Sequence, residues 1–502
     1  MWLRSYRREW LRADILAGLV VWSVVVPQAV AYAQIAGLPP QAGLMAAPGA
    51  LAAYALLGTS RSLVVSATTA TSALSAATIG PLAGADTAKF AVLSAALALI
   101  TGVVLVLGGL LRLGAISDFV STPVMTGMMF GLGLTIMVGQ LPKALGLADG
   151  DGNFFPRAWD ILTSLGDVHA LTLLVGAASI AGLVLLKRLP IPVTLLVLVL
   201  AIVASALFGL SSHGVDVVGK IPTALPELAW PSMTGAELET LLPAAFGVLI
   251  LSTEAVGVSR TLAAKHGYQV DPNRDLSAMG VSNVVAGLSS GFVQSGGASQ
   301  TAAADSAGGK SQLATLITAG LVLLTGAFLA PLFRDLPEAT LAAIVIVAVA
   351  SFLRLGELRR FARVRRSAIV LALLALAGVL VLGVLRGLLV AAAMSLFLVI
   401  QRLSRPPVEV LSREPLRVRV DGGLFYANTV AVKDRIMELA EGRRPVTIDL
   451  GASWELDVQS ADMLGDLARD IDLRLVNVQP AAATLLERAG LGSLIEHPDG
   501  DG

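Results

Sequence analysis

The sequence lacks cysteine altogether and is poor in histidine, aromatic residues and charge. Its 502 residues include no Cys and only four His, while aromatic residues make up 5% and charged residues 14%. The absence of Cys excludes disulfide scaffolds, thiol catalysis, iron–sulfur clusters and zinc sites built on Cys. No two of the four His have the spacing of metal ligands, so we expect neither a metal site nor a cofactor.

Charge is distributed unevenly along the chain. The first 402 residues carry 25 Lys and Arg and 19 Asp and Glu, whereas the last 100 residues carry 11 and 17. A soluble domain averages about 25% charged residues, a level that only the last 100 residues reach. The pattern predicts a membrane domain with excess positive charge, joined to an acidic soluble tail. The formal net charge of the whole chain is zero, which gives no indication of nucleic-acid binding.

Long apolar runs fill the first 402 residues. A membrane-spanning helix needs about 20 mainly apolar residues, because the hydrocarbon core of a bilayer is about 30 Å thick. Twelve spans are predicted: Ile15–Ala33, Ala42–Leu57, Phe90–Leu111, Ser117–Leu141, Leu171–Leu186, Val193–Leu210, Leu241–Ser259, Ser277–Gly291, Leu313–Phe333, Ala339–Phe352, Ala368–Leu385 and Gly387–Ile400.

Two further segments are too short or too polar to be ordinary spans. Ser66–Gly80 and Ser295–Gly309 consist mainly of Ser, Thr, Ala and Gly. Lipid penalises exposed backbone and hydroxyl groups, so such segments must lie within protein or line a wet cavity. If each is a half-helix that enters the membrane, the number of crossings rises to fourteen.

The distribution of Lys and Arg supports fourteen crossings, because cytoplasmic loops are rich in these residues. With a cytoplasmic N-terminus, this arrangement places 18 basic residues inside and six outside, and it leaves the tail in the cytoplasm. The two polar segments are then the third and the tenth crossing, each third in a set of seven. Interrupted segments at matching positions of two halves indicate a transporter site. We therefore predict an inverted repeat of seven plus seven segments.

The tail follows the sequence Arg405-Pro406-Pro407. We assign residues 1–402 to a transmembrane domain, 403–407 to a linker and 408–502 to the tail domain. Strands and helices alternate in the tail, which predicts a small α/β domain. The predicted elements are strand Leu416–Val420, helix Thr429–Ala440 with Asn428 as its N-cap, strand Val446–Leu450, helix Ser460–Asp470, strand Leu473–Val478 and helix Ala481–Ala489.

Several motifs are similar to those of a known family. Asp14–Ala46 contains AGLVVWSVVVPQAVAYAQIAGLPPQAGL, and it resembles the first-helix signature of the sulfate permease (SulP) anion transporters. GTSRS at Gly58–Ser62, AAKHG at Ala263–Gly267 and the stretch Asn283–Lys310 also resemble that family. The tail, with VDGGLFYANTVAVKDRI, VTIDL, ELD and LLERAGL, resembles a STAS domain. The resemblance implies anion transport, a seven-plus-seven inverted repeat and a homodimer.

The two half-helices form the predicted anion site. If their N-termini meet, free backbone N–H groups and two positive dipole ends converge on one place, which suits an anion without a formal cation. The predicted substrate-binding residues are Gln28, Thr68, Thr69, Ser299, Gln300 and Thr301. Gln28 follows Pro27, which frees a backbone carbonyl, so Gln28 could contact either the substrate or that carbonyl. Alternatively, the small residues only allow helices to pack closely.

Two positions depart from the pattern of the family that the chain resembles. Many of its members have Gly-Pro where this chain has Ser66-Ala67, and many have Arg where this chain has Gln300. The missing Arg removes a fixed positive charge beside the predicted site. A co-transported cation would then have to balance the charge of the substrate.

Glu254 is the predicted carrier of that cation. It lies within the apolar span Leu241–Ser259, about 9 Å from Arg260 at about 1.5 Å per residue, and Arg260 is predicted to mark the cytoplasmic interface. A carboxylate inside a membrane is costly when charged and is a candidate functional group. It could bind a proton on one side of the membrane and release it on the other, and we favour a proton over sodium. A structural pairing with a nearby helix terminus or with Lys310 is the alternative role.

These observations favour a secondary active anion transporter with proton symport, and its candidate substrates are dicarboxylates, sulfate and bicarbonate. A passive anion channel or exchanger is the first alternative. The second is a membrane-anchored signalling protein that acts through its STAS-like tail. Gln459 stands where such tails carry a phosphorylatable Ser, and Ser460 reads as a helix N-cap, which argues against a phosphoswitch.

No nucleophile and base arrangement indicates an enzyme. The compact loops and the absence of Cys favour a bacterial inner (plasma) membrane.

Overall fold

The computed structural model describes residues 2, 6–84, 86–114, 121–148, 150, 152–188, 192–221, 228–440 and 445–496. The chain divides into two compact units, Met1–Ala393 and Met394–Gly502. The first residues of the predicted span Ser117–Leu141 and the last residues of the predicted domain 408–502 lie outside the described residues.

The first unit is helical, apart from two strands of two residues each. In chain order its elements are α1 (Leu11–Ile35), α2 (Gln41–Leu57), β1 (Val65–Ser66), α3 (Thr69–Ala83), α4 (Thr87–Leu110), α5 (Thr122–Leu145), α6 (Phe154–Thr163), α7 (Ala170–Leu185), α8 (Val193–Phe208), α9 (Gly235–Lys265), α10 (Pro272–Leu288), β2 (Ser295–Gly296), α11 (Ala298–Ser306), α12 (Leu313–Leu324), α13 (Glu338–Val349), α14 (Leu355–Val364), α15 (Arg366–Leu382) and α16 (Val384–Leu403). The division between the two units falls within α16.

By length and composition, seven helical stretches among the described residues are long and apolar enough to cross a membrane, and four shorter apolar helices accompany them. Each of the twelve predicted spans overlaps a helix. The polar segment Ser66–Gly80 overlaps α3, which runs three residues further, and Ser295–Gly309 contains α11. The helical membrane fold is therefore confirmed. The number of crossings and the seven-plus-seven repeat stay predictions.

Small residues let the central helices approach closely. The helices α4 and α10 pack against each other, and they meet at Gly102 and Gly280. A Cβ atom on Gly102 would lie 2.8 Å from the carbonyl oxygen of Gly280, and a Cβ atom on Gly280 would lie 2.7 Å from that of Gly102. Similarly, a Cβ atom on Gly43 of α2 would lie 2.0 Å from the carbonyl oxygen of Ala29 on α1. Close packing of this kind stabilises helix association where lipid supplies no hydrophobic driving force.

The second unit contains the predicted α/β domain. Its elements are β3 (Val408–Arg413), β4 (Leu416–Val420), α17 (Thr429–Ala440), β5 (Val446–Asp449), α18 (Val458–Asp470), β6 (Leu473–Val476) and α19 (Pro480–Arg488). The strands form one sheet in the order β3-β4-β5-β6, in which β3 and β4 are antiparallel and the other neighbours are parallel. Alternate residues of β4, Leu416, Val418 and Val420, are buried in the core of this unit.

Three details of the second unit differ from the sequence analysis. Strand β3 was not predicted, because Leu411 and Ser412 interrupt the apolar–polar alternation of its sequence, at the place where its pairing with β4 shifts register. The side chain of Asn428 does not cap α17, since its Oδ1 atom accepts a hydrogen bond from the Phe425 N–H instead. Helix α18 begins at Val458, and Asp457 is its N-cap, accepting from the Ser460 N–H at 2.8 Å. The prediction of Ser460 as N-cap was therefore wrong.

Candidate anion-binding site

The two strands of the first unit bring the starts of α3 and α11 together. β1 and β2 are antiparallel, with Val65 opposite Gly296 and Ser66 opposite Ser295. Each strand comes just before one of the two short helices. The ladder is extended by a 2.9 Å hydrogen bond from the Gly297 N–H to the Val64 carbonyl. Consequently the N-termini of α3 and α11 lie on either side of one short sheet.

The N-terminus of α11 is open. Its N-cap residue, Gly297, has no side chain to accept a hydrogen bond. The first three N–H groups of the helix, those of Ala298, Ser299 and Gln300, have no acceptor among the described residues. Free N–H groups at a helix start carry about half a unit of positive charge and bind anions readily.

The N-terminus of α3 is partly closed by its own side chains. The Thr68 hydroxyl accepts a hydrogen bond from the Thr71 N–H at 3.3 Å and lies 2.9 Å from the Thr71 hydroxyl. The N–H groups of Thr69 and Ala70 have no acceptor among the described residues. This end therefore offers fewer free donors than the end of α11.

A cavity of about 80 Å³ separates the two helix starts. Thr68, Thr69, Ser299 and Gln300, four of the six predicted binding residues, line it. In the described part of the chain, no Lys or Arg lines this cavity; its complete lining is Tyr32, Ala67, Thr68, Thr69, Ala70, Leu251, Glu254, Ser295, Gly296, Gly297, Ala298, Ser299, Gln300, Ala348, Ser351 and Phe352.

Gln300 joins the start of α11 to α1 and to the segment before α3 by hydrogen bonds. Its Nε2 atom donates to Gln28 Oε1 at 2.8 Å and to the Ala67 carbonyl at 3.3 Å, while its Oε1 atom accepts from the Ser66 hydroxyl at 2.8 Å. Gln28 in turn donates to the Ser299 hydroxyl at 3.3 Å. Gln28 is thus connected to the cavity through Ser299 and Gln300, and its own predicted contact with substrate stays a prediction.

Thr301 has a different environment from the other predicted binding residues. Its hydroxyl is buried and accepts a hydrogen bond from the Val64 N–H at 3.1 Å. Thr301 is not among the residues that line the cavity. It fixes the chain segment before β1 to α11, and its contact with substrate also stays a prediction.

Glu254 lies between the central cavity and a second one. It lines the 80 Å³ cavity and also a cavity of about 240 Å³ whose lining includes Thr126, Arg260 and Arg354. Its carboxylate receives no hydrogen bond and forms no ion pair with any described residue. The alternative pairing of Glu254 with Lys310 is therefore absent from the structure. Arg354, in the wall of the second cavity, is close enough to act electrostatically on this carboxylate without pairing with it.

Helix α9 continues beyond the predicted interface. The helix runs to Lys265, five residues past Arg260. The eleven residues from Glu254 to the helix end correspond to about 16 Å along the helix axis. The place of Arg260 at the cytoplasmic interface, about 9 Å from Glu254, stays a prediction.

The sequence analysis did not identify Tyr32, Ser351 and Phe352 as lining residues of the central cavity. Tyr32 follows Gln28 by four residues on α1, so it lies on the same face of the helix, and that spacing could have revealed it. Ser351 and Phe352 follow the end of α13. No motif marks them, because their position depends on how α13 packs.

Asp305, near the end of α11, also has partners that the sequence did not reveal. Its carboxylate binds Lys265 Nζ at 2.7 Å and His266 Nε2 at 2.5 Å. The backbone N–H of Lys310, five residues further along, donates to Asp14. Asp305 thus connects α11 to the end of α9. Among the described residues, no group of three or more His, Asp and Glu could hold a metal ion.

Comparisons with known proteins cover both units. The model of the sulfate permease family matches residues 11–375, and that of the STAS domain matches residues 406–499. A probable sulfate transporter of Mycobacterium tuberculosis is 39% identical over 415 residues, covering 82% of this chain and 74% of that protein. Human solute carrier family 26 member 6 is 32% identical over 445 residues, covering 83% of this chain and 58% of that protein.

Solved structures share the fold. The anion transporter murine solute carrier 26 family member A9, in its inward-facing state, has a TM-score of 0.89 at 23% identity, covering 98% of this chain and 91% of its own. The transmembrane domain of a cyanobacterium bicarbonate transporter has a TM-score of 0.68 at 23% identity, covering 78% of this chain and 98% of its own. The family match spans most of the chain, and the chain therefore belongs to the sulfate permease family of anion transporters, with a C-terminal STAS domain.

Proposed function

We propose that this anion transporter is a secondary active symporter, which moves one anion together with a proton. The anion binds between the N-termini of α3 and α11, and the proton binds Glu254. The observation that carries the proposal is the unpaired Glu254 carboxylate, which lines the same cavity as the open start of α11.

Electrostatics supports the coupling. Two helix ends together supply about one unit of positive charge, and no Lys or Arg among the described residues adds to it in the central cavity. An ionised Glu254 would cancel much of that charge and repel an anion. A protonated Glu254 is neutral and has a hydrogen to donate. Proton binding therefore favours anion binding, and the anion favours proton binding by the same free energy.

Sulfate is the first substrate to test. The relative from Mycobacterium tuberculosis is named a probable sulfate transporter, and a solved neighbour is named a bicarbonate transporter. A doubly charged anion also has the greatest need for a proton at a site that supplies about one positive charge. Bicarbonate and dicarboxylates such as fumarate and succinate follow as candidates.

The experiment measures proton movement in liposomes that contain the purified protein and a trapped pH dye. We expect one external anion, added in turn from sulfate, bicarbonate, fumarate, succinate and chloride, to acidify the lumen. Glu254→Gln, which cannot exchange a proton, should abolish acidification. Labelled uptake is measured in parallel, because bicarbonate and carbon dioxide change pH without any transporter.

Glu239→Gln is the matched control. Glu239 lies on the same helix as Glu254 but is exposed near its start, so its loss changes charge without changing either cavity. Acidification that persists in Glu254→Gln would contradict the proposal. Labelled uptake without acidification by any anion would favour the alternatives, which are passive exchange or sodium coupling.

We also propose a homodimer in a bacterial inner membrane with both chain ends in the cytoplasm, as the sequence predicts. The tail then serves as a cytoplasmic accessory to transport. Deletion of Leu403–Gly502 distinguishes this role from signalling: a transporter should retain measurable uptake, whereas a signalling protein would lose its only output. Crosslinking in native membranes tests the dimer.

A further inference from the structure

A third cavity of the first unit is separate from the candidate anion site. Its volume is about 250 Å³, and polar and aromatic residues line it: Trp2, Gly58, Thr59, Arg61, Tyr268, Gln269 and Arg274. It shares no residue with the two cavities that Glu254 lines. The charge distribution along the sequence places Arg61 and Arg274 on the predicted cytoplasmic side.

Arg61 is held in place by aromatic rings. Its guanidinium carbon lies 5.8 Å from the centre of the Trp10 ring and 5.0 Å from that of Tyr268. The Arg61 backbone N–H donates to the Tyr268 hydroxyl at 3.3 Å. Stacking of this kind fixes the plane of a guanidinium group while it leaves the N–H groups at its edge available.

Arg274 supplies a second positive charge to the same cavity. It lines the cavity, and its Nε atom donates to the Leu57 carbonyl at 3.2 Å. Neither Arg61 nor Arg274 forms an ion pair within the part of the chain that the structure describes. Arg61 and Arg274 therefore line one polar cavity, and no described carboxylate forms an ion pair with either of them.

The nearby carboxylates are occupied by other donors. Asp275 is buried, and its oxygens accept hydrogen bonds from the Thr59 N–H at 2.6 Å, the Thr59 hydroxyl at 2.7 Å and the Ser259 hydroxyl at 2.9 Å. Asp271 accepts from the backbone N–H groups of Asn273 and Arg274. These bonds also hold the loop of Thr59 and Arg61 in shape, so the cavity is formed before any ligand enters.

We propose that Arg61 and Arg274 bind a phosphate group at the cytoplasmic face. Paired guanidinium forks match the oxygens of a phosphate, and a cavity of this volume with an aromatic wall accommodates one such group. Basic pockets between membrane helices on the cytoplasmic side bind anionic lipid headgroups. A lipid phosphate and a free phosphate share this chemistry, and the experiment distinguishes the two sources.

The test uses the purified full-length protein in detergent. Native mass spectrometry counts bound dioctanoyl phosphatidic acid, with dioctanoyl phosphatidylcholine as the lipid without a net charge, and calorimetry measures inorganic phosphate. We expect phosphatidic acid to bind more tightly than phosphatidylcholine. Each lost guanidinium, in Arg61→Gln or Arg274→Gln, should weaken binding about tenfold, because hydrogen bonds to charged groups are strong.

Arg359→Gln is the matched control, since Arg359 is exposed on α14 and lines none of the three cavities. Arg61→Lys keeps the charge but loses the planar fork, and it should retain part of the affinity. The exposed Arg274 permits a test that does not depend on folding of an Arg61 variant.

Each result has a definite meaning. Binding of phosphatidic acid without binding of inorganic phosphate assigns the site to a lipid, and competition by inorganic phosphate assigns it to a soluble ligand. Equal binding of the two lipids together with no binding of inorganic phosphate would overturn the proposal. So would a loss of affinity in Arg359→Gln as large as that in Arg274→Gln. None of these results depends on whether Glu254 carries a proton.

Discussion

The two short helices that meet at the candidate site start in different ways. Helix α3 begins after Thr68, whose hydroxyl occupies the Thr71 N–H. Helix α11 begins after Gly297, which offers no cap, and three N–H groups remain without an acceptor among the described residues. Two segments at matching places in the predicted repeat therefore differ in how much of their positive end is available.

This difference indicates a division of roles. An N-terminal cap satisfies donors and stabilises the helix by about 1 kcal/mol, whereas an uncapped end gives up that stability and leaves its donors for a ligand. We infer that α11 supplies most of the binding energy for the anion and that α3 forms the firm opposite wall. The following predictions test that asymmetry, beginning with the largest effect.

Gly297→Ala should reduce anion uptake about a hundredfold. The new Cβ atom would lie 1.9 Å from Gln300 Oε1, and Gln300 is held by bonds to Gln28, Ser66 and Ala67. Displacing it breaks several buried hydrogen bonds, each costing about 1–3 kcal/mol. Labelled uptake in liposomes measures the loss. Gly80→Ala on α3, where a Cβ atom would meet nothing within 4 Å, should leave uptake unchanged.

Gln300→Arg should weaken the dependence of uptake on pH. A permanent positive charge at the start of α11 lets the anion bind while Glu254 is ionised. Protonation of Glu254 then increases the affinity for the anion by a smaller factor. We expect the ratio of uptake at pH 6 to uptake at pH 8 to fall about tenfold, which corresponds to about 1.4 kcal/mol of lost coupling. Gln300→Met, which removes the hydrogen bonds without adding charge, separates the two causes. An unchanged ratio in Gln300→Arg argues against an electrostatic origin of coupling.

Removing a hydroxyl from each helix start should have unequal effects. Ser299→Ala should raise the KM for the anion about fivefold, because one net hydrogen bond contributes about 1 kcal/mol to binding. Thr68→Val should leave the KM within about twofold of the wild type but lower the temperature of unfolding, because it removes a cap. Uptake kinetics and thermal unfolding of both variants provide the comparison. Equal increases in KM would mean that both ends bind the anion alike.

The sequence predicted the elements of this fold well because membrane helices have strong signals. Apolar runs located the helices of the first unit, and the polar composition of Ser66–Gly80 and Ser295–Gly309 located α3 and α11. The edge strand β3 was not predicted, since Leu411 and Ser412 interrupt the apolar–polar alternation of its sequence. Asn428 immediately precedes α17 as predicted, but its side chain accepts from Phe425 instead of the helix. Ser460 was misassigned because Asp457 accepts from its N–H and is the cap.

The site was only partly predictable. Thr68, Thr69, Ser299, Gln300 and Glu254 were found because composition marks broken helices and buried charge, and all five line the central cavity. Their roles in binding and coupling stay predictions. The hydrogen bonds of Gln300 with Gln28 and Ser66 join residues that are 272 and 234 positions apart. Local sequence patterns carry no information about such partners. The same reason explains why Ser351 and Phe352 were missed.

The short sheet of β1 and β2 has a consequence for biosynthesis. The bond from the Val64 N–H to the Thr301 hydroxyl joins residues 237 positions apart, so α3 is made long before its partner. At about 5–20 residues per second, the ribosome needs roughly 12 to 47 seconds to synthesise the intervening chain. During that interval the short, polar segment around α3 lacks the hydrogen-bond partners that the second half later provides. In membrane terms, the first half can complete its polar contacts only after the second half has been synthesised.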